Sequence, residues 1–363
     1  MRLVAGVSPG SQDLVRAIRE QGIDVIAAEV GERRPFDEAL RAGGALLRGE
    51  PYVSYRRHDR PAMRRAVAAA VATEKPDILY LDHLDSMLFA DASPGSRVAV
   101  DLHNIYSMMV ERMGDEHRSR LAGAYLRREA RLLRKVERRA AARADVVTTV
   151  SAPETDYFRA LGARTIALVP NGVDCQAYAS LPVGREVANR PIVLFVGGLS
   201  WPPNASAVRY LASAVLPELR RRYPTAVVRV VGRISASLRE ELSGYEGVEV
   251  TGDVPDVRPY LVDATVVAVA LESGGGTRLK ILEAFAAGIP VVSTPVGCEG
   301  IAGENGRHLI VADRPAFAAE IGRLIEQPSS GRELAREARR LAERTYDWAV
   351  VGQQAADAVL SGA

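Results

Sequence analysis

The sequence predicts an α/β fold in which a parallel sheet with crossover helices is built twice. Three observations carry this: short β-branched runs alternate with amphipathic helical stretches, the runs end in glycine or polar residues, and the alternation restarts near residue 180. A chain of 363 residues is also too long for one compact core and suits two. The expected division is residues 1–180, residues 181–345 and a helical tail, 346–363, packing back on the first domain, with the two domains facing each other across a cleft.

In chain order, Leu3–Val7 reads as a strand, Gln12–Gln21 as a helix and Asp24–Val30 as a second strand. Asp77–Leu81 and Arg97–Val100 are further strands, followed by Asp82 and His83 in one case and by Asp101, His103 and Asn104 in the other. Residues just past strand ends line the ligand crevice of open α/β sheets; for each histidine the plainer alternative is a hydrogen-bonded loop residue. Arg118–Arg143 forms a long helical pattern whose charges are almost all positive: Arg127, Arg128, Arg131, Arg134, Lys135, Arg138 and Arg139, relieved only by Glu129 and Glu137. Leu126, Leu133, Val136 and Ala140 supply its apolar stripe. The basic face is either solvated or a docking surface for anionic lipid headgroups or a phosphorylated acceptor.

Asp145–Val150 is the next strand, with Ser151 as N-cap and Pro153 and Glu154 in the first turn of the helix that follows. Ile166–Val169 runs into the turn Pro170–Asp174, and a stretch without periodicity leads to about Arg190. Pro191–Val196 opens the second sheet, followed by Gly197–Gly198, two prolines and Asn204 as cap of a helix over Ala205–Tyr223. Val227–Val231 and Val248–Val250 are strands, Thr251–Asp256 a turn, and Val266–Ala270 the strand before a glycine-rich loop. A helix over Arg332–Arg344 breaks near Tyr346–Trp348 before the tail.

Composition narrows the function classes. With 47 basic against 45 acidic residues, the net charge of +2 does not suggest nucleic-acid binding. Cys175 and Cys298, distant and without metal-ligand spacing, read as small buried hydrophobes in a reduced, cytoplasmic protein. The start is interrupted by Pro9–Gly10 too early for a signal peptide, and no apolar run approaches membrane-spanning length, so any contact with the inner face of the membrane is expected to be peripheral.

Leu271–Gly300 carries the chemistry. Gly274, Gly275 and Gly276 precede a helical pattern, so backbone can approach a ligand at a helix N-terminus whose free N–H groups favour an anion, phosphate above all. Leu279, Leu282 and Ala286 should face the core, whereas Lys280 and Glu283 share another face. A lysine near a helix start opposes the dipole unless an anion is bound, and a carboxylate one turn on can accept two hydrogen bonds from neighbouring hydroxyls. Phosphate beside a cis-diol describes a nucleotide; a glycine-rich turn with a solvated Lys–Glu pair is the alternative.

Four segments carry a family likeness: VVTTVSAPE leading to VPNGVD at Val169–Asp174, FVGGLSWPPNASAVRYL at Phe195–Leu211, VVGRI followed by VEVTGDVPDVRPYL within Val230–Leu261, and SGGGTRLKILEAFAAGIPVVSTPVGCEGI at Ser273–Ile301. With DLHN at Asp101–Asn104, they make the chain resemble the group 1, family 4 retaining glycosyltransferases of GT-B fold, in which two Rossmann-like domains face each other. The resemblance implies a metal-independent hexosyltransferase-type enzyme that needs no cofactor beyond its nucleotide-sugar co-substrate, a UDP- or GDP-sugar. The second domain holds the donor; a glycan, lipid-linked or small-molecule acceptor sits on the first. It places Glu283 on the ribose hydroxyls and Lys280 with the Gly274–Thr277 amides on the diphosphate. It also puts His103 close to the transferring sugar, Gly197 and Gly198 at the diphosphate, and the base at the turn Gly252, Asp253, Val254.

Three departures matter. The family's first glutamate, eight residues before Glu283, is Gly275 here, so backbone amides or Glu272 must hold the sugar. Where many relatives carry Arg and Lys after the second domain's first strand, this chain has Gly198 and Trp201, leaving Arg278, Lys280 or Arg233 to supply positive charge. The first glycine-rich loop is reduced to Ser8–Pro9–Gly10. Rival readings are a GT-B enzyme that epimerises or hydrolyses a nucleotide sugar and a degenerate nucleotide-binding partner; a dehydrogenase is disfavoured because no G-x-G-x-x-G follows a strand.

Overall fold

The computed structural model describes residues 1–31, 35–117, 119–183, 190–273 and 278–361. They fall into two compact units, Met1–Leu168 with Ala358–Ala363, and Val169–Asp357. The division lies ahead of residue 180 because the segment after Leu168 already packs with the second unit. Val173 N–H donates to the Tyr346 carbonyl at 2.7 Å, and Val173 and Tyr178 are buried in that unit's core.

The first unit runs β1 (Arg2–Val7), α1 (Gln12–Glu20), β2 (Asp24–Glu29), α2 (Pro35–Arg48), α3 (Pro61–Glu74), β3 (Ile78–Asp82) and β4 (Arg97–Leu102). It continues with α4 (Tyr106–Glu116), α5 (Arg120–Arg143), β5 (Val146–Thr149), α6 (Ala152–Ala160) and β6 (Ile166–Leu168). β1 pairs with β2, and β3, β4, β5 and β6 form a parallel sheet in that order. β4 is buried on both faces, which is why RVAVDL reads as a near-continuous apolar run. Leu84, Leu102, Leu133 and Phe158 fill the core.

α5 corrects the reading of its glutamates. Glu129 and Glu137 do not dilute the basic face but point inward, both essentially buried. Glu129 accepts from the backbone N–H groups of Tyr52 (2.7 Å) and Val53 (3.2 Å). Glu137 accepts from the N–H of Ser107 at 2.8 Å, its hydroxyl at 2.6 Å and the Tyr157 hydroxyl at 2.7 Å, so it caps the first turn of α4 from another helix. Outward, Arg134 pairs with Glu111 and Arg143 with Asp91, while exposed Arg120, Lys135 and Arg138 have no carboxylate partner among the described residues.

The second unit runs β7 (Ile192–Val196), α7 (Pro202–Tyr210), α8 (Leu216–Arg222), β8 (Val227–Val231), α9 (Ala236–Ser243), β9 (Val248–Gly252), α10 (Arg258–Asp263) and β10 (Val266–Val269). Then come α11 (Leu279–Ala287), β11 (Val291–Ser293), β12 (Ile310–Val311), α12 (Arg314–Glu326), α13 (Pro328–Leu341) and α14 (Trp348–Leu360). Between α7 and α8 the helical path widens into a π turn at Leu211–Val215, just before Pro217, whose ring and missing N–H a regular helix does not accommodate. The six parallel strands lie in the order β12-β11-β10-β7-β8-β9 over a core that includes Phe195, Phe285 and Phe317. Most of α11 is buried, but Leu279, expected to face the core, is half exposed; Ile281, Leu282, Phe285 and Ala286 do that packing. α14 begins in the second unit, where Trp348 lies over Gly172, and the end of the chain belongs to the first, with Arg97 donating to the Val359 carbonyl at 2.9 Å.

Glu137→Ala leaves a buried N–H and two hydroxyls without their acceptor and should cost about 3 kcal/mol. Glu111→Ala, which breaks an exposed pair, should cost under about 1 kcal/mol. Urea unfolding at unchanged m-value checks both; equal effects would remove the capping role given to Glu137.

Candidate functional site

The strand order of the second unit reverses between β7 and β10: the chain builds outward from β7 to β9, then returns to β7's other side. At such a switch point the loops leaving the two strands diverge and open a crevice at their carboxyl ends. Three turns line a cleft of about 330 Å³ there: Gly197, Gly198 and Ser200 after β7, Gly232 and Arg233 after β8, and Asp253 and Val254 after β9. Gly232, at φ +140°, lies against the Gly197 carbonyl so closely that a Cβ would overlap it. Only glycine permits this approach of the two loops. Arg233 and Asp253 face each other across the mouth at 3.3 Å, both largely exposed.

α11 delivers the charged groups. Lys280 Nζ donates to Asn204 Oδ1 at 3.0 Å and sits 4.2 Å from the centroid of the Phe195 ring, immediately beside Gly197. Burial, helped by the charge of Arg278 and opposed by Glu283, lowers the Lys280 pKa to about 7. Burial likewise raises that of half-buried Glu283, against the pull of Lys280. Tyr178 lies near enough for the Glu283 charge to add to burial in raising its own pKa. Arg278 is buried just before α11, with Nη2 on the Val296 carbonyl at 3.2 Å.

Asn204, read from sequence as a helix cap, instead lies inside the first turn of α7, where its side chain joins the Gly198 carbonyl (2.8 Å) to Lys280. Glu272 pairs with Arg314 at the start of α12 (2.8 Å), and Arg314 also donates to the Ala270 carbonyl and lies over the Tyr210 ring. Gly274, Gly275, Gly276 and Thr277 fall outside the described residues. Tyr178 and Arg314 carried no sequence signal, because each reaches the site from an element distant in the chain. Gly232 stood in view in VVGRI without its role being readable.

The first unit carries its own polar cluster at the carboxyl ends of β3, β4 and β5. His103 Nε2 lies 2.8 Å from Asp82 Oδ1, and its Nδ1 lies 3.5 Å from Asp101 Oδ2. Burial alone would lower the His103 pKa; the Asp82 hydrogen bond and the charges of Asp101 and Asp82 outweigh it and raise the pKa above the usual histidine value. Asp101, raised by burial, accepts from Thr148 Oγ1 at 2.9 Å. Glu154, bonded by Ser151 Oγ at 2.9 Å, is pushed by burial to about 7. Ser151 precedes α6, as expected of an N-cap, but its side chain serves Glu154 rather than the helix N–H groups.

Two family profiles match, one described as Glycosyltransferase Family 4 over residues 4–177 and one as Glycosyl transferases group 1 over residues 190–327. Among solved structures, Anabaena HepE in complex with UDP and glucose superposes with a TM-score of 0.68 at 19% identity, covering 99% of this chain and 92% of its own; the likeness establishes the GT-B fold of two Rossmann-like domains. An uncharacterised protein of the cps region of Klebsiella pneumoniae is 28% identical over 43% of this chain and 42% of its own length. A GDP-mannose-dependent alpha-(1-6)-phosphatidylinositol monomannoside mannosyltransferase of Mycolicibacterium smegmatis is 28% identical over 60% of this chain and 63% of its own. The chain thus spans about half the length of the curated relatives it matches.

An anion bound beside Lys280 should restore its ordinary protonation. Binding of a nucleotide sugar, whose diphosphate diester does not titrate in this range, should therefore draw in about one proton at pH 8, where the free amine is neutral, and close to none at pH 5.5, where it is already charged. Calorimetry in buffers of differing ionisation heat reads this directly; Lys280→Met should abolish the uptake, and its persistence would assign the proton elsewhere.

Proposed function

Because the chain belongs to the group 1, family 4 glycosyltransferases, we propose that it moves a hexose from a UDP- or GDP-sugar to an acceptor hydroxyl with retention of anomeric configuration. The observation that carries this reading is the half-buried Lys280 side chain, partly desolvated and held by Asn204 at the switch-point crevice beside two close-packed glycine turns. With no carboxylate bonded to it among the described residues, a cation there would be stabilised by a phosphate ligand.

In this reading Glu283 accepts from the ribose hydroxyls, Gly252, Asp253 and Val254 receive the base, Gly197 and Gly198 let their loop approach the diphosphate, and Arg278 and Lys280 neutralise it, with Arg233 at the mouth. Gly274–Thr277 supply backbone amides. Glu272, committed to Arg314, serves the sugar less directly than the Gly274–Thr277 amides. His103 is assigned to the transferring sugar. The acceptor oxygen bonds to the anomeric carbon on the face from which the diphosphate leaves, the carbon–phosphate-oxygen bond breaks, and the acceptor proton passes to the departing phosphate. No side-chain nucleophile and no metal is needed for that balance; the protein contributes charge stabilisation and alignment.

A membrane-borne acceptor is favoured by the surface of the first unit. Phe36, Leu40 and Leu47 form an exposed stripe along α2, and exposed Leu121 begins α5, whose Arg128 donates to the Leu46 carbonyl at the end of α2. Arg120, Lys135 and Arg138 continue this apolar patch as a basic one, the pairing that suits an anionic headgroup layer. No helix among the described residues is long and apolar enough to cross a membrane. Epimerase, hydrolase and degenerate readings gain nothing from the geometry.

A thermal-shift panel of nucleoside diphosphates should give stabilisation with UDP or GDP that Glu283→Ala weakens by roughly 100-fold in affinity, the equivalent of two lost hydrogen bonds to hydroxyls. No shift with any nucleotide would sink the donor site. Vesicles rich in phosphatidylglycerol should co-sediment the protein at low salt and release it at high salt, and Leu47→Asp with Leu121→Asp should prevent it; binding indifferent to salt and to both changes would remove the membrane surface.

A further inference from the structure

Among the described residues, one group of three or more His, Cys, Asp and Glu side chains brings its ligand atoms within 4.8 Å of one another: Asp82, His83 and His103. Two of the chain's five histidines meet here, their rings 4.3 Å apart and edge to face.

His83 reaches this position at a cost. Its backbone lies at φ +67°, ψ +163°, a region that glycine adopts and other residues avoid at a penalty of about 1–3 kcal/mol. The conformation is held from both sides, by the bond from His83 N–H to the Asp101 carbonyl (3.0 Å) and by Ser86 Oγ on the His83 carbonyl (2.6 Å). The imidazole so placed has a buried Nδ1 with no hydrogen-bond partner among the described residues. Strain and an unpaired buried nitrogen both count against a histidine here, unless the ring takes a ligand.

We propose that the Asp82 carboxylate and the His83 and His103 imidazoles form a binding site for a borderline-soft divalent transition metal, with Zn²⁺ as the reference ion. Zinc takes imidazole nitrogen and carboxylate oxygen at about 2.0–2.2 Å, which sets ligand atoms about 3.3 Å apart around it. Asp82 Oδ1 and His103 Nε2 already stand 2.8 Å apart, so small side-chain rotations close the set. The surroundings can complete it: His103 Nδ1, which has no hydrogen-bond partner among the described residues, lies 3.5 Å from Asp101 Oδ2, so with Nε2 on the metal a small turn of the ring would engage Asp101, itself held by Thr148. A carboxylate on the outer nitrogen of a ligating histidine fixes its tautomer and raises its basicity. Two imidazoles and one carboxylate disfavour Mg²⁺ and Ca²⁺, which prefer oxygen throughout. Three protein ligands leave a coordination position for water or a substrate oxygen.

The site goes beyond the transferase reading and its binding does not depend on it. Its consequence does: an occupied site withdraws His103 from the sugar, so Zn²⁺ acts as an inhibitor of a reaction that itself needs no metal, and chelator leaves turnover intact or raises it.

Isothermal titration of Zn²⁺ into the untagged, chelator-treated full chain at pH 7.5 tests the proposal without reference to activity. One equivalent should bind in the micromolar range, and Mg²⁺ should give no heat. His83→Gly, which removes a ligand while relaxing the backbone, and Asp82→Asn should each weaken Zn²⁺ binding by roughly tenfold or more, with thermal melts confirming that both are folded. Absence of Zn²⁺ binding, or affinity unchanged in both variants, would overturn the site; the latter would place the ion on His58, His117 or His308.

Discussion

Lys280 sets the terms for the second unit. Its amine lies between the Asn204 amide and the Phe195 ring, half-buried and desolvated enough that its pKa falls to about 7, and no carboxylate is bonded to it among the described residues. Glu283, one turn along α11, pulls in the opposite direction but is itself pushed toward its neutral form. A fold that partly desolvates two charges without pairing them directly gives up stability at this point, a cost that the proposed anion and diol would offset.

The sheet makes that placement possible. β7 and β10 are neighbours at the reversal of strand order, so the loop carrying Gly197 and the helix carrying Lys280 leave adjacent strands and meet above them. Gly232 lets the β8 loop press against Gly197, and Asn204 ties the β7 loop to Lys280. Arg314 does similar work just past β10, joining the Ala270 carbonyl to Glu272 from the start of α12. Each tie links segments far apart in sequence, which is why substitutions some distance from the crevice bear on its geometry.

The first unit solves another problem. Its longest helix, α5, must present arginines outward while holding α4 and the Tyr52–Val53 turn from within, and Glu129 and Glu137 do the second task by accepting backbone and hydroxyl donors in the core. The cluster at the ends of β3 and β4 gathers two histidines and two aspartates by strand register: Asp82 is paired with Asp101, and His103 follows two residues later. The role proposed for His103 and the metal affinity proposed for it and its neighbours draw on the same convergence.

By itself the sequence determined the doubled α/β pattern, the positions of most strands to within a residue or two and the family, and it singled out Lys280, Glu283 and His103 as candidates. These rest on local periodicity, turn chemistry and motif spacing, all of which are written along the chain. Tertiary structure decided what depends on neighbours distant in sequence. It turned Glu129 and Glu137 inward, left Leu279 exposed, made Asn204 a partner of Lys280 rather than a cap, and engaged Glu272 with Arg314. It also brought His83 against His103 in a strained backbone conformation. Burial and partnership are properties of the folded environment, so a charged residue's pattern along the chain shows that it is available, while only packing determines what it faces and what its charge costs.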